Sequence, residues 1–305
     1  MGLFSRNKRP LGDYEWNIDE DGTLTITGSG LTSDKSPWCD RSNEVRRLIV
    51  KGTGDVVLGK NSFCFGFDNL EEVYLDKNVK RVEESAFMRV STLRKVEIEG
   101  DGLEYLGQYA FFKDEALESI KLGNNIQKID KFCFTQSGIK EAVLGNDIDT
   151  IGEYAFNRCR SLENLVIGNN VKLMDEYCFS DCDNLKTVKI GDNVDKIGRH
   201  AFEENKCLEI LEIGENCREI GEFGFLNCKG LKTVKIGSGL KILGPMVFRD
   251  SKAITYIEIP DSLEKSGISS FPPHLKDSAG RSVKDLSAKG HVWVDDGSGN
   301  LIVKD

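Results

Sequence analysis

The sequence predicts a mainly β repeat solenoid, on the strength of two periodicities and one absence. Nine phenylalanines (Phe63, Phe87, Phe111, Phe134, Phe156, Phe179, Phe202, Phe225 and Phe248) follow one another at intervals of 24, 24, 23, 22, 23, 23, 23 and 23 residues. Each closes a similar hexapeptide, such as LGQYAF, IGEYAF, MDEYCF and IGRHAF. About six residues after each Phe comes an LxxLxL pattern, as in Leu162, Leu165, Ile167 and Leu208, Leu211, Ile213. Its last two apolar positions alternate with an outward residue, the period of a strand with one buried face. Ten such strands run from Val45, Leu48, Val50 to Ile254, Ile257, Ile259, so about nine to ten coils of 23 residues are expected. No segment carries a helix-period run of useful length. Self-similarity at this period marks stacked units, none of which buries its apolar face alone.

Taken in order, residues 1–42 form a tail and an N-terminal cap. Within it YEWNIDEDGTLTITG places Trp16, Ile18, Leu24 and Ile26 at strand spacing around an acidic turn with Gly22, which reads as a hairpin. Residues 43–264 form the repeat array. In each coil the strand is followed by a turn whose Asn (Asn125, Asn170, Asn193, Asn216) gives way to Gly at Gly102 and Gly239. Asn and Gly share a tolerance for positive φ, so a left-handed residue is expected there. Residues 265–305 form a C-terminal cap. Pro272 and Pro273 end the last coil, and Val292-Trp293-Val294 with Leu301-Ile302-Val303 forms a second hairpin. Both caps cover core that a solenoid would otherwise leave open.

One full unit, SLENLVIGNNVKLMDEYCFSDCD from Ser161 to Asp183, carries the strand, the Asn turn, the Phe and the following Cys. It resembles the leucine-rich repeat of the Treponema pallidum type, the BspA-like class, and the resemblance covers about residues 43 to 264. It implies a curved leucine-rich repeat stack with a concave parallel sheet and short strands or turns on the convex side. The opening W…DGTLTI…G module and Ser36-Pro37-Trp38 are likewise similar to the start of many such proteins.

Composition narrows function. Forty-one Lys and Arg against 50 Asp and Glu give a net charge of -9, which opposes nucleic acid or an anionic membrane as partner. No apolar h-region follows the basic start MGLFSRNKRP, and no stretch approaches a membrane span, so a cytoplasmic location is expected. Gly2 is not followed by Ser or Thr at position 6, where Arg6 stands, so myristoylation is not expected. Nine Cys without a CxxC pair suggest neither a disulfide framework nor a zinc ribbon. Cys133, Cys178 and Cys217 occupy core columns of the repeat, and Cys159, Cys182 and Cys228 each follow a Phe by three residues, so free buried thiols are expected.

Two motifs imitate ligand sites. GDVVLGKN, Gly54 to Asn61, has Asn61 where a phosphate loop needs Ser or Thr, and it runs into the repeat instead of a helix. Asn17, Asp19, Asp21 and Gly22 copy half a calcium loop, but Gly28 stands where its bidentate Glu belongs. His200 takes a slot filled by Tyr or Phe in other coils, and His274 and His291 have no partner by spacing. No catalytic, cofactor-binding or metal residue is therefore assigned, and no cofactor is expected.

The outward strand positions remain. At the second, Arg46, Glu71, Arg94, Glu118, Lys140, Glu163, Lys186, Glu209 and Lys232 alternate in sign, a register lock between stacked neighbours. At the fifth, the charges give way in the middle to Val143 and Val166, flanked by Lys121 and Lys189 with Asn164 and Thr187 beside them. Exposed apolar surface rimmed by polar groups marks interfaces. Tyr74, Lys121, Val143, Asn164, Val166, Thr187 and Lys189 are the candidate partner-binding residues. The expected function is a non-enzymatic scaffold binding a protein or peptide on the concave sheet. One alternative is the surface-displayed adhesion role that the resemblance implies, and another is a hydrolase-like enzyme using surface carboxylates. The oligomeric state is open.

Overall fold

The computed structural model describes residues 12–276, 280–281, 288–295, 297 and 301–303. Each coil contributes one strand to a front column, from Glu72–Leu75 and Lys95–Ile98 to Thr233–Ile236 and Tyr256–Ile259. A second, shorter strand joins a rear column, from Val79–Val82 to Lys265–Ser266. Pairing within both columns is parallel and skips one strand in chain order, as when Asn164 faces Thr187 and Thr150 faces Leu173. The long strand Arg47–Leu58 belongs to both columns, pairing with Glu72–Leu75 by its first half and with Val79–Val82 by its second.

The hairpin Asp13–Ile18 with Thr23–Leu31 covers the N-terminal end, and its second strand pairs parallel with Arg47–Leu58. At its turn the Asp19 carboxylate accepts the N–H groups of Asp21 and Thr23, at 3.1 and 2.8 Å. The residues that imitate a calcium loop thus close a β-turn. At the other end His291–Asp295 lies antiparallel to Tyr256–Ile259 and pairs with Leu301–Val303. The stack runs past residue 264. Lys265–Ser266 continues the rear column, Phe248 N–H donates to Ser270 O, and Phe271 is buried where a tenth repeat Phe belongs. Sequence spacing missed this coil because Ser266 replaces the apolar residue that opens the other hexapeptides.

The phenylalanine column is the centre of the core. From Phe63 to Phe248 each ring is buried and nearly parallel to the next, with centroids 4.9 to 5.8 Å apart. Trp38, carried on the short 3-10 helix Pro37–Glu44, stacks on Phe63 at 6.4 Å and extends the column into the N-terminal cap. A second ladder, Tyr109, Phe132, Tyr154, Tyr177, His200 and Phe223, runs beside it nearer the surface, with centroids 4.4 to 5.0 Å apart. His200 packs there between Tyr177 and Phe223, as its slot predicts.

The left-handed residues are not at the Asn turns. Among the described residues, the non-glycine ones lie two residues before and two residues after the repeat phenylalanines, as at Tyr154 (φ 57°) and Arg158 (φ 58°) around Phe156. This geometry turns alternate N–H groups toward the next coil: Tyr154, Phe156 and Arg158 donate to Glu176, Cys178 and Ser180 carbonyls at 3.0, 2.8 and 2.9 Å. At the Asn corner other forces operate. Asn125 Nδ2 donates to Asp101 O in the preceding coil at 2.5 Å, and Asn216 Nδ2 donates to Asn193 Oδ1 at 3.1 Å. A Cβ on Gly102 would lie 1.9 Å from Lys77 O, and one on Gly239 2.3 Å from Glu215 O. Close backbone approach, not positive φ, selects glycine at those two positions.

Three residues after each Phe runs a buried column that includes Ser137, Cys159, Cys182, Asn205, Cys228 and Ser251. Asn205 is fully used: Oδ1 accepts Cys182 N–H at 2.9 Å, and Nδ2 donates to Phe179 O and Phe202 O at 3.0 and 2.9 Å. Asp114 fills the same slot and accepts Val90 N–H at 2.8 Å, but its Oδ2 has no partner. Burial holds this carboxyl well above the usual carboxylate range.

Two stability outcomes follow from these columns. Phe179→Ala, between Phe156 and Phe202, is expected to cost about 3–5 kcal/mol in denaturant unfolding, whereas Tyr154→Ala in the half-buried ladder costs less; equal losses would contradict the assignment of inner and outer ladders. Asp114→Asn can donate to the carbonyls of Phe87 and Phe111 as Asn205 does to its own pair, and is expected to gain about 1–3 kcal/mol at neutral pH. A group with raised folded-state pKa loses its contribution as pH rises above the unfolded value, so the gap between variant and wild type should open above about pH 4 and close below it. Melting curves across that range that stay a constant distance apart would show that Asp114 is not the titrating group.

Candidate binding surface on the front sheet

The front strands turn their third and fifth positions to solvent, so two rows of side chains stand on the sheet. At its N-terminal end these side chains satisfy one another. Arg47 Nε donates to Glu72 Oε2 at 2.9 Å, the Tyr74 hydroxyl donates to the same oxygen at 3.0 Å, and Lys95 pairs with Glu97 at 2.5 Å. Lys95 also lies 5.7 Å from the Tyr74 ring centre. At the C-terminal end Lys235 pairs with Glu212 at 3.1 Å and the Tyr256 hydroxyl donates to Glu258.

Between these networks the pattern stops. Lys121, Glu141, Val143, Asn164, Val166, Thr187 and Lys189 are all exposed, and none makes a side-chain hydrogen bond or ion pair with a described residue. Val143 is 63% exposed and Val166 45%. The two are direct neighbours in register, and Val166 is followed by Lys189. The reason the lysines are unpaired is visible at their flanks. Glu97, next in the column to Lys121, is held by Lys95, and Glu212, opposite Lys189, is held by Lys235.

The seven candidate residues fall into two depressions. Tyr74 and Lys121 line one of about 580 Å³ over the N-terminal strands. Val143, Asn164, Val166, Thr187 and Lys189 line a second of about 510 Å³, together with Glu141, Ile210 and Glu212. Ile210, 41% exposed, is the member that sequence reasoning missed. Its signal was present, since it is the one aliphatic residue at a third position otherwise held by charged, amide, hydroxyl and tyrosine side chains.

The second-position charges pair within 4 Å at three places, Lys140–Glu118, Lys186–Glu163 and Lys232–Glu209. The alternation therefore operates as separate couples and not as one continuous chain of ion pairs. A third depression, of about 430 Å³, lies at the loop edge where one coil is 22 residues long, with Gly138 replacing a longer loop. Its arginines, Arg158 and Arg160, are engaged by Asp181 and Asp183 at 3.7 and 3.5 Å.

The other candidate chemistries find structural employment. Lys60 of the phosphate-loop imitation pairs with Glu84 at 2.8 Å, and Asn61 sits in a left-handed turn instead of opening a helix. His200 Nδ1 lies 2.7 Å from Glu203 Oε2, and His274 Nε2 lies 2.7 Å from Ile254 O. The nine cysteines are free. Burial pushes Cys39 and Cys64 up to about 11 and Cys159, Cys217 and Cys228 up to about 12, which leaves them weak nucleophiles at neutral pH. Among the described residues no group of three or more His, Cys, Asp or Glu could hold a metal ion, and no helix is long and apolar enough to cross a membrane.

Comparison with known proteins agrees with the fold. A leucine-rich repeat protein of Bacteroides ovatus superposes with a TM-score of 0.55 at 20% identity, covering 90% of this chain and 84% of its own. The leucine-rich repeat protein of Treponema pallidum aligns at 19% identity with a TM-score of 0.48, covering 87% and 99%. At 20% identity the first of these likenesses concerns the fold alone. No curated protein sequence matches significantly. The family model for the BspA type leucine rich repeat region matches residues 58–186 and 149–275, most of the coils described above. The chain belongs to the BspA-type leucine-rich repeat family.

Proposed function

We propose that this chain is a binding scaffold that captures a protein or peptide on the central front strands, from Ser119–Ile120 to Thr187–Ile190. The observation that carries this reading is the unpaired stretch from Lys121 to Lys189. Toward both ends of the sheet a partner would meet carboxylates already engaged, Glu72, Glu97, Glu212 and Glu258, and would have to break those contacts before forming its own. At the centre it meets apolar side chains already exposed and lysines without a partner, so its contacts replace water alone. The side chains stand on parallel strands fixed by backbone ladders, which lowers the ordering cost of binding. Such a surface would serve an intracellular scaffold and a surface adhesin equally well.

Selection from an unbiased random-peptide library against the purified protein tests the reading. Enriched peptides are expected to lose binding to the double variant Val143→Glu with Val166→Lys at an unchanged melting temperature. They should retain it with Lys186→Glu and Glu209→Lys, a swap outside the patch that breaks two exposed ion pairs and costs about 1 kcal/mol or less. Peptides that bind the first variant at wild-type strength would move the site off the central front strands.

A further inference from the structure

The fifth column reads Glu97, Lys121, Val143, Val166, Lys189, Glu212, a sequence of charges symmetric about the gap between the two valines. Both outer glutamates are neutralised by their own lysines, which leaves two cations around an apolar centre. From this we infer the chemistry of the segment that the patch takes, resting on the reading above: an extended peptide with two acidic residues four apart and an apolar residue midway between them.

The spacing supports the match. Lys121 and Lys189 are three strands apart, about 14 Å at the usual distance between strands. In an extended peptide crossing the strands, residues i, i+2 and i+4 face the same side and span about 13–14 Å. Carboxylates at i and i+4 then reach the two lysines while the side chain at i+2 lies over Val143 and Val166. Asn164 and Thr187, uncharged and without side-chain partners in the fold, stand beside the peptide backbone, able to donate to or accept from it. Glu141 shares a strand with Val143 and repels an acidic residue placed at the centre, which favours an apolar one there. Because the charge order is symmetric, a peptide of this composition fits in either direction.

The test uses three labelled nine-residue peptides with the cores Asp-Thr-Leu-Thr-Asp, Asn-Thr-Leu-Thr-Asn and Lys-Thr-Leu-Thr-Lys, titrated by fluorescence polarisation at low salt. The acidic peptide should bind the wild-type protein about tenfold more tightly than the neutral one, and the basic peptide more weakly than either. With Lys121→Glu and Lys189→Glu, both exposed positions, the order should invert. Equal binding of the three peptides, abolished by Val143→Glu with Val166→Lys, would overturn the charge pattern while sustaining a central binding face. Binding of the acidic peptide unaffected by either pair of substitutions would overturn both. Absence of binding by any of the three, or dimerisation of the free protein that Val143→Glu abolishes, would overturn the inference, the latter assigning the face to a second copy of the chain.

Discussion

Every residue in this stack has a neighbour from its own column one coil away, because backbone hydrogen bonds at the front and the rear lock successive turns at the distance between parallel strands, about 4.8 Å. A residue type is admitted to a column according to how it tolerates such neighbours. Aromatic rings suit the spacing, since near-parallel rings with centroids about 5 Å apart lie within the range of favourable aromatic stacking. Like charges do not suit it, so the second strand position alternates in sign and forms couples such as Lys186 with Glu163. The corners at Gly102 and Gly239 exclude any Cβ because the preceding coil's carbonyl occupies its place.

The rear of each coil extends the same logic to the backbone. Left-handed residues are costly for any side chain, about 1–2 kcal/mol each, and most coils carry two. What offsets the cost is the neighbouring coil: Tyr177 and Asp181, both left-handed, donate their N–H groups to Arg199 and Glu203 carbonyls at 3.0 and 2.9 Å. An isolated coil would carry the strain without those bonds, so the array gains stability through its interfaces and not through single units. Asp114 shows the reverse case. Its slot is built around donation to two carbonyls, which Asn205 achieves and an ionised carboxylate does not.

The repeat was legible in the sequence because its strongest constraint, the buried Phe, leaves an identical residue in nearly every coil. The strands, the packing of His200 and the core cysteines followed from that register, and both hairpins followed from apolar alternation on either side of a turn. The left-handed positions were less visible, since many residue types fill them; their trace is an exclusion, no Val, Ile, Thr or Pro from Asn61 to Ser269 in either slot. The Asn corner misled because asparagine has two uses, and inter-coil hydrogen bonding here outweighs its tolerance of positive φ. Of the candidate surface, composition identified the valines and lysines. That Tyr74 and Lys121 line a different depression from the valines, and that the Tyr74 hydroxyl is already committed to Glu72, depends on side-chain rotamers that no column order specifies.

The central patch also departs from its column in phase. Had structural alternation continued through the fifth position after Glu97 and Lys121, residues 143, 166 and 189 would carry negative, positive and negative charge. Replacing the first two by valine would still leave an acidic residue at 189. Instead Lys189 stands there, and Glu212, Lys235 and Glu258 resume the alternation in the opposite phase. The second position, which holds the coils in register through the same region, keeps its phase without a break. A column selected for stacking alone gains nothing from such a slip, since it leaves Lys121 and Lys189 without an ion pair to a described residue, their column neighbours Glu97 and Glu212 being held by Lys95 and Lys235, and two valines exposed. The slip places like charges at both ends of an apolar step, an arrangement that stacking does not account for and that the proposed binding role does.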